Sequence, residues 1–144
     1  MDKKTALILL AVFGNVITVN IGFAEAVIIA LVGEQHGAPA AVLTALLPAA
    51  GHAAASALAY KHFREKRGLS VPKFVMLNAL PSVIMGAAGY FASRAALSGG
   101  FAEELAPFFA VGSLCVIGYS IVYAALLLAI LGLKRAFGKK KELL

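Results

Sequence analysis

The sequence predicts an all-α membrane protein in which four transmembrane helices form an antiparallel bundle. Of its 144 residues, 61% are hydrophobic and 14% are charged, whereas soluble proteins average about 25% charged residues. The charges are clustered, which leaves four uncharged runs at residues 5–24, 37–60, 74–93 and 105–133. Each run reaches the roughly 20 residues that cross hydrocarbon. We expect one transmembrane domain over residues 1–144, with helices at about 5–32, 39–62, 72–97 and 107–133.

The basic residues predict the orientation of these helices. Of the 13 Lys and Arg, all but Arg94 lie before helix 1, between helices 2 and 3, or after helix 4. The opposite connections carry the acidic residues Glu34, Glu103 and Glu104. By the positive-inside rule, we expect a multi-pass protein of a bacterial-type inner (plasma) membrane with cytoplasmic N- and C-termini. The basic residues responsible for the net charge of +6 flank apolar spans. We therefore expect no nucleic-acid partner.

The first apolar run is expected to be a membrane span. Lys3 and Lys4 precede it, and Ala24-Glu25-Ala26 would suit a signal-peptide cleavage site, but the run continues to Val32. A secretory signal peptide is therefore not the preferred interpretation.

Proline and glycine mark the helix ends. Glycines at 33 and 37 predict a short outer turn, and Gly68 is expected to stop helix 2. Residues 101–106 are expected to form an interfacial turn with Glu103 and Glu104 among the outer headgroups. Proline is favourable in a first helical turn, and it is expected to open helices 2, 3 and 4 at Pro39, Pro72 and Pro107.

Helix 1 carries polar residues on one face. Asn15, Thr18, Gly22 and Glu25 are three or four residues apart and so share a stripe, whereas Asn20 falls outside it. An ionisable side chain in a membrane usually faces a bundle interior or a water-filled cavity. Since burial disfavours the charged carboxylate, Glu25 is a candidate proton or cation site. The alternative is an interfacial residue near the outer headgroups.

Helix 2 is rich in alanine and carries His52 near mid-depth. Pro48 predicts a kink just before it. On antiparallel neighbours, His52 and Asn20 would lie at similar depth, with Glu25 roughly 8 Å closer to the outside. His52 is a candidate proton-relay or substrate contact. Alternatively, it is a neutral histidine bonded to Ser56 or to a neighbouring helix.

Three asparagines complete the candidate pathway along helices 1 and 2. Asn15, Asn20 and Asn78 could contact a substrate or proton pathway, or could instead form interhelical hydrogen bonds. Gly86 and Gly89 of helix 3 are expected to serve close helix packing.

The sequence contains no catalytic motif. It lacks a nucleophile with a base at usable spacing, paired carboxylates, a phosphate-binding Gly-rich loop and HExxH. A haem would need a second mid-membrane histidine, and the single Cys115 has no second thiol for a disulfide or metal site. We therefore expect no enzyme, no cofactor and no metal site.

The basic connection after helix 2 is a candidate lipid-headgroup site. Positive residues near the membrane surface attract anionic lipid, and this connection contributes Lys61, Arg64, Lys66 and Arg67. The alternative is that they only fix the topology.

The two helical hairpins resemble each other weakly. Phe13-Gly14-Asn15 in helix 1 corresponds to Leu77-Asn78 in helix 3, and both outer connections precede Ala-Pro. This pattern leaves a 2+2 hairpin repeat open, an arrangement that some transporters use.

The layout also resembles the GtrA-like family of small four-helix inner-membrane proteins. The similar parts are Phe13-Gly14-Asn15 with Val19-Asn20, the opening of helix 3 from Lys73 to Leu80, and the basic ends after helices 2 and 4. The chain lacks the family's usual Trp and Asn at those basic ends. The resemblance implies movement of polyprenyl-phosphate-linked sugars across the membrane.

Glu25 and His52 together favour a transporter or flippase-like protein for a lipid-linked or small polar substrate. The competing interpretation is a non-catalytic subunit or scaffold that assembles a larger membrane complex. Because four helices rich in small residues leave little room for a private pathway, we expect a homo-oligomer or a larger complex, with membrane lipids as further partners.

Overall fold

A computed structural model describes residues 2–96 and 105–141, apart from the side chains of residues 66, 67, 96 and 137–141. Within these ranges the chain forms four α-helices and no strand. They are α1 (Lys3–His36), α2 (Ala38–Arg67), α3 (Val71–Ala96) and α4 (Ala106–Lys141). Each contains a stretch long and apolar enough to cross a membrane, as the sequence predicts.

α1, α2 and α4 extend beyond their predicted ends, whereas α3 matches its predicted bounds within one residue. The predicted outer turn over residues 33–37 is wrong, because α1 continues through Gly33 to His36. Only Gly37 leaves the helix, with a φ of 82° that favours glycine, and its N–H donates to the Gly33 carbonyl at 3.0 Å. Gly68 ends α2 as predicted, with a φ of 61°. Residues 101–104 of the predicted interfacial turn lie outside the described residues.

α1 and α4 lie at the centre of the bundle. α3 and α4 form the most extensive helix pair, and α1 contacts all three other helices. α2 packs along α1 and α4 and meets α3 near the connection at Gly68, where Tyr60 and Phe63 contact Phe74 with ring centroids 5.1 and 6.0 Å apart. Over most of its length α2 therefore has α1 and α4 as its neighbours.

Glycines allow α1 and α3 to approach α4 closely. A Cβ on Gly22 of α1 would lie 2.8 Å from the Val116 Cα of α4, and one on Gly86 would lie 3.0 Å from the Ser113 carbonyl oxygen. A Cβ on Gly89 would meet the Ser113 hydroxyl at 2.7 Å. The prediction that Gly86 and Gly89 serve packing is confirmed.

Large apolar side chains cover the outside of the bundle. Each helix has large apolar side chains that are more than half exposed, for example Phe13, Leu47, Phe91 and Ile121 in chain order. Soluble monomers rarely expose such extended apolar surface, whereas a lipid-facing surface requires it. The buried aromatic and aliphatic core lies inside, around Phe74, Tyr123 and Leu127.

Candidate functional site

The predicted polar stripe of α1 faces the interior of the bundle. Asn15, Thr18 and Glu25 are 4%, 0% and 5% exposed, and Gly22 between them is also buried. Thr18 donates its hydroxyl proton to the Gly14 carbonyl of its own helix at 2.8 Å. The stripe thus places both an amide and a carboxyl inside the protein.

Asn15 repairs a break in the hydrogen bonding of α3. Pro81 has no N–H, so the carbonyl of Leu77, four residues earlier, lacks its helical donor. The Asn15 Nδ2 donates to that carbonyl at 2.8 Å, and the Ser82 N–H donates to Asn15 Oδ1 at 2.9 Å. The Ser82 hydroxyl also donates to Asn15 Oδ1. One side chain therefore bridges the proline interruption.

The other two predicted asparagines lie apart from each other. Asn78 is buried, donates to the Phe74 carbonyl at 2.8 Å, and lies against α1 at Gly14, where a Cβ would be 2.5 Å from its Oδ1. Asn20 is exposed and donates to the Val16 carbonyl of its own helix at 2.8 Å. The structure thus brings Asn15 and Asn78 to the contact between α1 and α3, and leaves Asn20 on the outer surface.

Glu25 lines a cavity at the junction of α1, α2 and α4. Among the described residues its buried Oε1 has no hydrogen-bond partner. The cavity has a volume of about 330 Å³. The side chains around it are largely apolar: Glu25 and Ile29 from α1, Val42, Ala45, Leu46 and Ala49 from α2, and Cys115, Gly118, Tyr119 and Val122 from α4. No asparagine is among these lining residues.

His52 is held between two tyrosines of α4. Its Nδ1 lies 2.8 Å from the Tyr119 hydroxyl, and its ring stacks on Tyr123 with the centroids 4.2 Å apart. The Tyr123 hydroxyl donates to the Ser56 hydroxyl oxygen at 2.8 Å. The sequence left two possible partners for a neutral His52, namely Ser56 or a neighbouring helix. The bond to a neighbouring helix is present, and Ser56 pairs with Tyr123 instead.

Tyr119 connects the two predicted ionisable residues. Its side chain lines the Glu25 cavity, and its hydroxyl is bonded to His52. Glu25 and Tyr119 thus line the same cavity and Tyr119 bonds His52, although the three residues lie on three different helices. A hydroxyl can donate one hydrogen bond while accepting another, so Tyr119 can bond His52 and a second group at the same time.

Sequence analysis missed Tyr119 and Tyr123. They are four residues apart, so they share one face of α4. Tyrosine hydroxyls buried in an apolar environment need hydrogen-bond partners. Two tyrosines at this spacing, near the middle of the most apolar helix, were therefore a usable signal for a polar contact.

Basic side chains lie together near the C-terminal ends of α2 and α4. A second cavity, of about 1210 Å³, is lined there by Lys61 and Arg64 of α2 and by Lys134 and Arg135 of α4. Glu65 is the acidic residue in this lining. The predicted headgroup residues Lys66 and Arg67 belong to α2, but their side chains lie outside the described part of the structure. We call the cavity the basic cavity.

Comparisons with protein-family models, with curated proteins and with solved structures found no match.

Proposed function

We propose that this protein is a small transporter whose pathway lies where α1, α2 and α4 meet. The observation that carries the proposal is the position of Tyr119, which lines the Glu25 cavity and bonds His52 across the helix interface. Ionisable residues that face the interior of a membrane bundle commonly mark proton or substrate pathways. In this pathway Glu25 and His52 exchange protons or contact substrate, and Tyr119 joins them. Asn15 and Asn78 hold α1 against α3.

In the proposed arrangement the helices are antiparallel and both termini are cytoplasmic in a bacterial-type inner membrane. Two observations support this arrangement. Only Gly37 separates α1 from α2, and the C-terminal ends of α2 and α4 meet at the basic cavity. A 2+2 hairpin repeat is compatible with it. A reporter active only in the periplasm should work when fused after Gly37 or Gly99 and should be inactive after Gly68. The reverse pattern would contradict the orientation.

A flippase-like activity belongs to the same proposal. The resemblance to the GtrA-like family favours a lipid-linked substrate, and the basic cavity suits its phosphate. In this model of transport, Lys61 and Arg64 would hold the anionic headgroup while Glu25 responds to protons. Membrane lipids would then be both neighbours and ligands of the protein.

The transport proposal is tested by substitution at the two ionisable residues. The Glu25→Gln variant resembles the protonated acid and His52→Ala removes the imidazole, so both should abolish proton-dependent flux into liposomes while the helices remain folded. Thermal stability and oligomeric state, measured beside flux, separate loss of transport from loss of structure. Flux that is absent from the unmodified protein, or that survives both substitutions, would refute the pathway.

The second candidate is a non-catalytic subunit or scaffold of a larger membrane complex, or of a homo-oligomer. Asn20 favours it, because this amide is exposed on a surface that otherwise faces lipid. Polar side chains on transmembrane helices commonly hydrogen-bond across helix interfaces. Native mass spectrometry of the gently extracted protein would show the stoichiometry. Loss of the oligomer on Asn20→Leu, together with unchanged flux, would assign Asn20 to assembly.

A further inference from the structure

The Glu25 cavity combines an apolar wall with one buried acid. Ile29, Leu46 and Val122 supply aliphatic surface from three different helices, and Tyr119 supplies an aromatic ring. The volume of about 330 Å³ lies at the lower end of the range for small-molecule sites, roughly 300–1,000 Å³. The space therefore suits one small organic molecule.

Glu25 gives this space a strong preference for charge. Its side chain is 5% exposed, and its Oε1 has no hydrogen-bond partner in the described part of the chain. An ionised carboxylate in such surroundings is costly unless a positive charge or a hydrogen-bond donor accompanies it. An anionic ligand would increase this cost, whereas a cation would remove it.

The cavity is also accessible from the outer surface of the bundle. Val42 and Leu46 of α2 are 57% and 40% exposed although they line the cavity, and Gly118 of α4 is exposed as well. A hydrophobic molecule dissolved in the membrane can therefore reach Glu25 between α2 and α4 without crossing the interior of the bundle.

We infer that this cavity binds a hydrophobic organic monocation, such as a substituted ammonium ion, with its positive nitrogen at Glu25 and its apolar body against Ile29, Leu46 and Val122. The inference rests on the proposed transport function for its physiological meaning, since it names a cationic substrate class at Glu25, apart from the anionic headgroup proposed at the basic cavity. Binding itself depends only on the cavity. The tyrosine ring contributes a cation–π contact, an attraction that grows when the cation is desolvated.

Cation binding should displace a proton. A cation bound beside Glu25 favours the carboxylate, so each cation that binds a protonated Glu25 releases one proton. The other titratable groups that line the cavity are Cys115 and Tyr119 of α4. α2 contributes only apolar side chains to the lining, and its His52 acts through Tyr119. Affinity should therefore rise with pH.

The test uses the full chain in nanodiscs of zwitterionic lipid. Benzyltrimethylammonium is the probe, because it has a permanent charge and an aromatic body, and its neutral carbon isostere, neopentylbenzene, is the control ligand. Equilibrium dialysis should show binding of the cation, at least about tenfold weaker in Glu25→Gln, and little change in Glu34→Gln. Glu34 is the matched control, because it is an exposed acid on the same helix. The neutral isostere should bind more weakly than the cation.

A second variant tests the cavity without altering the acid. A Cβ on Gly118 would meet no atom within 4 Å, so Gly118→Leu should fold and fill the space. It should weaken cation binding at least about tenfold while Glu25 is retained. This variant remains informative if Glu25→Gln fails to fold.

The outcomes separate the ligand class from the transport proposal. Three outcomes would overturn the inference. They are no cation binding to the unmodified protein, an unchanged cation affinity in both Glu25→Gln and Gly118→Leu, and binding of the neutral isostere as tight as that of the cation. Cation binding without flux into liposomes would refute the transport function and leave the binding site standing. Glu25-dependent flux of protons without cation binding would refute the binding site and leave transport standing.

Discussion

At the scale of single residues, Asn15 supplies to α3 the donor that Pro81 lacks. The freed Leu77 carbonyl and the Ser82 N–H both bond the Asn15 amide group. In hydrocarbon an unsatisfied backbone group costs several kcal/mol, so the donor that Asn15 supplies offsets the cost of placing Pro81 inside α3. Asn15 therefore completes the hydrogen bonding of α3 at Pro81 and also holds α1 against α3.

We predict that Asn15→Leu destabilises the protein by about 1–2 kcal/mol, because it leaves the Leu77 carbonyl without its donor. The free energy of unfolding in mixed micelles measures this change. Asn20→Leu is the matched control, since Asn20 is exposed and bonds only its own helix among the described contacts. Equal stability of the two variants in the monomer would contradict the role of Asn15.

The two tyrosines of α4 provide a second test at this scale. Tyr119→Phe removes the hydroxyl that bonds His52, whereas Tyr123→Phe removes one that bonds Ser56 away from the cavity lining. We expect proton-dependent flux to fall about two- to tenfold in Tyr119→Phe, in line with the loss of one hydrogen bond. Tyr123→Phe should keep its flux. Equal flux in the two variants would exclude Tyr119 from the pathway.

At the scale of helices, the number and approximate positions of the elements could be predicted, because uncharged runs of sufficient length have few alternatives in a membrane. The C-terminal ends of α1 and α4 could not. α4 continues to Lys141 rather than ending at 133, since lysine and arginine are good helix formers once the chain leaves the hydrocarbon.

The rotation of each helix about its axis was harder to predict than its position. Glu25 was found because a charged residue stands out in an apolar run, and its stripe gave α1 an orientation. α4 offers no charged residue within its apolar span, because a helix that crosses a membrane can be apolar all round, and its pair of tyrosines predicts a polar contact without naming the partner. Its contact with His52 through Tyr119 therefore emerged only from the packed structure.

Close packing of α1 on α4 is tested by a substitution at Gly22. A Cβ there would lie 2.8 Å from the Val116 Cα, so Gly22→Ala must separate the two helices. We expect a loss of about 1–3 kcal/mol of stability, as for overpacked cores. Gly132→Ala is the control, because its Cβ would meet no atom within 4 Å. A Gly22→Ala variant as stable as Gly132→Ala would show that the helices can part at no cost.

At the scale of the whole molecule, polar chemistry is divided between two sites. The acid Glu25 lies inside the apolar cavity at the junction of three helices, whereas the positive charges of α2 and α4 surround the basic cavity. The two sites favour ligands of opposite charge. A molecule with both an anionic headgroup and an apolar body would therefore approach the basic cavity by its head, and cations would accumulate at Glu25.

The last prediction concerns lipid at the basic cavity. Each basic residue near a membrane surface contributes about 1 kcal/mol to the attraction of anionic lipid, and salt screens this attraction within a Debye length of about 10 Å at 0.1 M. Arg64→Gln should therefore reduce retained anionic lipid about fivefold in native mass spectra, and added salt should have the same effect on the unmodified protein. Lys73→Gln is the matched control, because Lys73 is exposed on α3 but is not part of the cavity lining. If both variants retain lipid equally, the basic residues serve only to orient the protein in the membrane.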